Sequence, residues 1–152
     1  MYNNTIYHEI EERLTPETPQ EQQIIKHPEW REGAVWGKPR YGHPEGKILY
    51  HIEEVLSNVD AINANEITRQ NLRFITLTHD TFKHKEHRGF PRDWSRHHAV
   101  LARYFSEQFT DNQTLLDIIE LHDEAYYIWK MAHRLFRKKV AQRRLDKLLL
   151  RL

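Results

Sequence analysis

The chain has 152 residues and nearly balanced charge, 23 Lys and Arg against 22 Asp and Glu, so no global field directs it to nucleic acid or an anionic bilayer. Cysteine is absent, which excludes disulfides, thiolate metal sites and cysteine nucleophiles and fits a reducing compartment. No apolar stretch is long enough to cross a bilayer, and Met1-Tyr2-Asn3-Asn4-Thr5 lacks the basic start and apolar segment of a secretory leader, so the expectation is one cytoplasmic domain over residues 1–152.

Amphipathic periods recur along the chain and only five glycines interrupt them, so the expected fold is all-α, a compact multi-helix bundle. Residues 1–40 read as an outer layer of short helices. Within it, Thr18-Pro19-Gln20-Glu21 has the form of a capping box with proline at the first helical position, opening a helix toward Ile24 and Ile25. Gly37 to Pro44 reads as a loop. A stronger helix is expected over 45–61, with Ile48, His51, Ile52, Val55, Val59 and Ile62 on one stripe. The next, over 65–80, turns Ile67, Leu72, Ile75 and His79 inward. Residues 84–93 read as a polar, mobile-looking segment, and Asp93 as the cap of a helix running through Phe109. One helix is expected over 114–133, carrying Leu115, Ile118, Ile119, His122, Tyr126 and Trp129 on one side. Residues 41–133 would then form the core that carries any site. The tail, 134–152, is basic and amphipathic, with Leu135, Phe136, Val140, Leu145, Leu148 and Leu149 set against Arg and Lys. Its leucine stripe is expected to pack on the domain or to join two copies as a homo-oligomer.

Eleven dispersed histidines are the compositional anomaly, and without cysteine any transition-metal site must use nitrogen and oxygen donors. Helical phase sorts them. His51 and His79 fall on the stripes above, and His98 is in register with Leu101, Ala102, Phe105 and Phe109. His97 shares a stripe with Val100 and Tyr104 and stands as the substitute for His98; His122 lies on the Leu115–Trp129 face with Asp123 beside it. His8, His27, His84 and His87 lie in polar surroundings and read as surface residues, while His43 either shapes a turn or lines an entrance. A buried imidazole left without a partner costs roughly 1–3 kcal/mol, and one hydrogen bond satisfies it. Four inward imidazoles with the carboxylates of Asp80 and Asp123 are better satisfied together, by a divalent cation that also offsets the desolvation of the acids.

His51, then His79-Asp80, then a later aspartate, all in helical settings, resembles the HD-domain superfamily of metal-dependent phosphohydrolases. His51-Ile52-Glu53-Glu54-Val55 is similar to that family's first-histidine helix, and Thr78-His79-Asp80-Thr81-Phe82-Lys83 to its signature doublet with a following lysine. The resemblance covers about residues 40–130. It implies a first metal held by His51, His79, Asp80 and a downstream aspartate, for which Asp123 is the choice and Asp117 the fallback. Two-metal members add two histidines, and His98 and His122 stand in suitable places, with Asp80 then bridging. One or two ions of Mn, Fe, Co, Ni, Zn or Mg are implied. The departure from the family pattern is the final aspartate, which here follows a histidine directly and stands nearer the doublet than in many members.

The expected function is hydrolysis of a nucleotide-type phosphate mono- or diester, a small-molecule substrate, by a metal-activated water, with Asp80 and Lys83 as catalytic residues. Lys83 reads equally as a solvated helix-end cation, and Arg92 and Arg96 border the same mouth. A non-catalytic regulatory module that binds metal or nucleotide is the alternative, and a metal-using oxygenase a third reading.

Overall fold

A computed structural model describes residues 3–151 of the chain, so the expectation for the first residues of the N-terminus falls partly outside the described residues. Among these residues the architecture is helical without strands: α1 (Asn3–Arg13), α2 (Pro19–Lys26), α3 (Pro28–Ala34), α4 (Ile48–Ala61), α5 (Glu66–Thr78), α6 (His98–Ser106), α7 (Gln113–Leu121), α8 (Glu124–His133) and α9 (Lys138–Leu149), with 3-10 turns at Lys83–Lys85 and Trp94–Arg96. No helix among the described residues is long and apolar enough to cross a membrane.

Caps set where the helices begin. Thr18 accepts the Glu21 N–H at 3.1 Å ahead of Pro19, as the capping box requires, and Asn65 and Asn112 do the same for α5 and α7. Asp93 caps only the short Trp94–Arg96 turn, because His97 is extended there and starts α6 afresh with its own ring. The helix expected over 114–133 is two helices. The His122 ring takes the Ile119 carbonyl at 2.7 Å, the acceptor that a continuing helix would pair with the Asp123 N–H, and α8 restarts beyond it. The tail likewise breaks from α8 at Phe136, whose φ is +51°, a left-handed conformation that ends regular helix.

Helix α5 lies at the middle of the assembly, meeting α4, α6, α7 and α2, while α3 backs onto α4 and α9 folds against α8. The core gathers Ile10, Ile24 and Trp30 from the outer helices with Leu49, Ile52, Phe74, Leu77, Phe105, Leu115 and Ile119. The α4 stripe is rotated from its expected phase, so that Leu49 and Leu56 are buried and Ile62 is exposed. Ile67, expected inward, lies on the first turn of α5 with 73% of its surface exposed, beyond the reach of the core. Tyr126 and Trp129 are also largely exposed, because α8 buries Ile128 instead. Of α9 only Ala141 is buried, and Val140, Leu149 and Leu150 face outward. Arg144 grips Glu124 through two bonds of 2.7 Å and Arg151 reaches Asp117 at 3.0 Å, so the tail is held on the bundle as much by ion pairs as by its leucines.

Candidate metal centre

The last turn of α5 is tied down on every side. Thr78 Oγ1 donates to the Phe74 carbonyl at 3.0 Å, while Thr81 Oγ1 and the Trp30 indole N–H both donate to the Leu77 carbonyl at 2.7 Å. Helix α3 presses so close behind that a Cβ on Gly33 would stand 1.8 Å from the Thr81 carbonyl oxygen. The carbonyls that a helix C-terminus leaves free are occupied, Leu77's by the Thr81 hydroxyl and the Trp30 indole, Ile75's and Thr78's by the His79 and Thr81 N–H groups and Thr76's by the His79 ring. His79-Asp80 is thereby held at a defined place at the helix end.

Asp80, 6% exposed, then faces two ways. Its Oδ2 lies 3.6 Å from Nε2 of both His51 and His79 and accepts from Lys83 Nζ at 2.5 Å. Its Oδ1 lies 3.4 Å from His98 Nε2 and 3.3 Å from His122 Nε2, and those two nitrogens are 3.4 Å apart. Asp123 stands on this second side, 3.3 Å from His98 and 3.6 Å from His122. Two groups, His51–His79–Asp80 and Asp80–His98–His122, therefore have the spacing that holds a metal ion.

The partners of the opposite ring nitrogens decide what each imidazole presents. A carbonyl only accepts, so a nitrogen facing one carries the proton and the other shows its lone pair. Nδ1 of His79 donates to the Ile75 and Thr76 carbonyls, and Nδ1 of His122 to the Ile119 carbonyl. Nδ1 of His98 faces the Glu86 carboxylate at 3.4 Å. His79 and His122 thus present Nε2 lone pairs to Asp80, whose buried Oδ1 has no hydrogen-bond partner, while His98 has a carboxylate at either edge, Glu86 at Nδ1 and Asp80 at Nε2. The His122 Nε2 lone pair and Asp80 Oδ1 face each other at 3.3 Å, a repulsion that a cation between them and His98 would relieve. A triangle with sides of 3.3–3.4 Å has its centre about 1.9 Å from each corner, close to the 2.0–2.1 Å of metal–nitrogen bonds. The group could hold a metal ion.

Protonation follows the same forces. Burial pushes His79 down to about 4, keeping it neutral at ordinary pH despite the Asp80 charge. Burial would raise Asp80, but His122 and His98, then the charges of His79 and Lys83, hold it well below the usual carboxylate range. Burial would likewise lower His122, yet Asp80, the Ile119 carbonyl and the Asp123 charge together raise it. A proton on His122 thus answers the same need for positive charge that a metal ion would.

Six residues singled out from the sequence as metal ligands, His51, His79, Asp80, His98, His122 and Asp123, come together here from four separate stretches of chain. Asp123 differs from expectation in its side. Among the described residues no ion pair joins it to His51 or His79, because the break after α7 turns it toward His98. Asp117 is away from the site, bound to Arg103 at 2.5 Å and to Arg151. His97 is as buried as His98 but its Nδ1 accepts the Ala99 N–H at 3.3 Å, so it turns a donor toward the acids. His84, expected at the surface, packs beside Phe82 with Nδ1 on the Thr81 carbonyl. His43 shapes a turn, bridging to Arg40. Arg92 is committed to Glu86 at 2.5 Å, and Arg96 is exposed. Glu86 itself was not singled out. Its side chain is only 7% exposed although Lys85, His87 and Arg88 around it make the segment read as polar loop.

No protein-family model matches the chain, and no curated protein or solved structure is significantly similar to it.

Proposed function

We propose that the chain is a metal-dependent phosphohydrolase of the HD type, acting on a nucleotide-class phosphate mono- or diester. The observation that carries this reading is the position of Asp80. Its two carboxylate oxygens face two histidine sets, His51 with His79 and His98 with His122, drawn from four separate stretches of chain. A divalent ion held by His51, His79, Asp80, His98, His122 and Asp123 would supply Lewis acidity, for activation of water and for the charge that develops on a phosphoryl oxygen.

The chain's own residues do the rest. Asp80 orients both sets at once. The His79 and His122 rings are fixed by backbone carbonyls, so their Nε2 atoms need no reorganisation to bind. His51, with 31% of its side chain exposed, marks the open edge of the cluster. Lys83, bound to Asp80 at 2.5 Å, would supply positive charge to an incoming phosphate.

The test is elemental analysis of the purified protein, followed by assay of a nucleotide panel with added divalent metals. Phosphate release is expected, and Asp80→Ala should reduce it by at least about 100-fold while leaving helical ellipticity in place. Release that is unchanged in Asp80→Ala removes Asp80 from the mechanism. Bound metal without turnover of any nucleotide favours the non-catalytic module, and bound iron with visible absorbance and oxygen consumption favours an oxygenase.

A further inference from the structure

Behind the second histidine set lies a carboxylate that touches none of the reacting positions. Glu86 leaves the Lys83–Lys85 turn and buries its side chain between His97 and His98. Its Oε1 lies 3.4 Å from His97 Nε2, 3.4 Å from His98 Nδ1 and 2.5 Å from Arg92, and Arg88 approaches the other oxygen at 3.5 Å. The two ring nitrogens are buried and unpartnered, their approach to Glu86 being a charge contact and not a formed hydrogen bond.

Glu86, His97 and His98 are also close enough to hold an ion of their own. The tautomers argue against it. His97 Nδ1 accepts the Ala99 N–H, so a neutral His97 carries its proton on Nε2, the atom facing Glu86. His98 has its Nε2 turned to Asp80 and His122, and with that lone pair given to an ion its proton stands on Nδ1, facing Glu86. Glu86 therefore accepts from the Arg92 guanidinium and sets its charge 3.4 Å from two imidazole edges, and is not one of three lone-pair donors around a cation.

We infer that Glu86 is a positioning residue for the second ion position: it holds His98 as the Nδ1–H tautomer and raises the basicity of the Nε2 that faces Asp80. This rests on the metal reading above and goes beyond it by assigning control of one position to the 83–97 segment. Carboxylates placed behind metal-binding imidazoles act in this way, and their loss weakens metal affinity by about 10- to 100-fold.

The experiment titrates the chelator-stripped full chain with Co(II), following visible absorbance and competition with a chelating dye. Wild type should take up two ions. Glu86→Gln should weaken one of the two ions by about 10- to 100-fold and leave the other within about two-fold, with the His98 tautomer signal in 15N-edited histidine spectra shifting alongside. Glu86→Asp, which keeps the charge but withdraws it by one methylene, should show the same selective effect at smaller amplitude and serves if the Gln variant does not fold. Equal affinities in variant and wild type overturn the inference alone, as does a uniform loss at both positions, which marks a merely structural role. Three ions in wild type and two in Glu86→Gln make Glu86 a ligand and also overturn it. A wild-type chain that takes up no ion overturns the metal reading and this inference together.

Discussion

His79 illustrates how a single side chain acquires its role. In water an imidazole titrates near 6.5; in this pocket burial brings it to about 4, so it stays neutral and ready to donate a lone pair. The same shift makes it a stability sensor. Its folded-state pKa lies below the unfolded value, so its contribution is fully present above pH 6.5 and is lost as pH falls through the window from 6.5 to 4. A shift of this size corresponds to roughly 3 kcal/mol. His84 and His97, also lowered by burial, act in the same direction. His122 is raised, so its contribution is complete below 6.5 and does not change within the window, and depressed Asp80 acts only at lower pH, below its unfolded value of 3.8. Thermal melts of the metal-free protein should therefore show a falling midpoint from pH 6.5 to 4, with a shallower fall in His79→Asn. A flat profile would remove the buried neutral imidazole from the account. Phase alone had picked out His79, because a histidine four residues after Ile75 and seven after Leu72 must share their face. Glu86 had no such signal: nothing in a run of lysine, histidine and arginine says which charge turns inward.

At the scale of elements, the doublet depends on a helix that contributes no ligand. Helix α3 meets the end of α5 with glycine at the contact, and a methyl group at Gly33 would overlap the Thr81 carbonyl at 1.8 Å. The atom in the way is backbone, so either α3 or the segment that carries Asp80 must move. Gly33→Ala should cost about 1–3 kcal/mol as overpacking and weaken metal binding at Asp80 in the same variant. Denaturant titration and Co(II) titration on one preparation check both, and normal values in either would show that the two helices can part without disturbing the site. The α7–α8 break belongs to the same scale. An apolar period runs through residues 114–133 without a glycine or proline, so periodicity reads one helix. The interruption comes from the His122 ring capturing a carbonyl, a side-chain event that no spacing rule registers.

Across the whole molecule, the outer helices are anchored to the centre by a buried ion pair. Arg73 on α5 binds Glu21 on α2 through bonds of 2.8 and 3.0 Å, with both side chains at most 5% exposed, and reaches the Thr15 carbonyl and Glu17 as well. Replacing Arg73 with Met leaves Glu21 charged and buried without its partner, which typically destabilises by about 3–5 kcal/mol. Urea unfolding should show that loss, and a change within about 0.5 kcal/mol would mean that α2 can shift to hydrate Glu21. The pair also explains how a charged residue sits inside the run Leu72-Arg73-Phe74: its partner is 52 positions away in the chain.

Helix content, the inward turn of His51, His79, His98 and His122, and the absence of thiolate chemistry could all be read from residue order, since the 3.6-residue repeat and the donor types are local properties of the chain. Packing alone chose which inward groups meet, put Asp123 beside His98 instead of His79, drew Glu86 out of a polar loop into the interior, and left Trp129 and Leu149 facing solvent. Each of those outcomes depends on distances between segments far apart in the chain, and a periodic pattern carries no information about them.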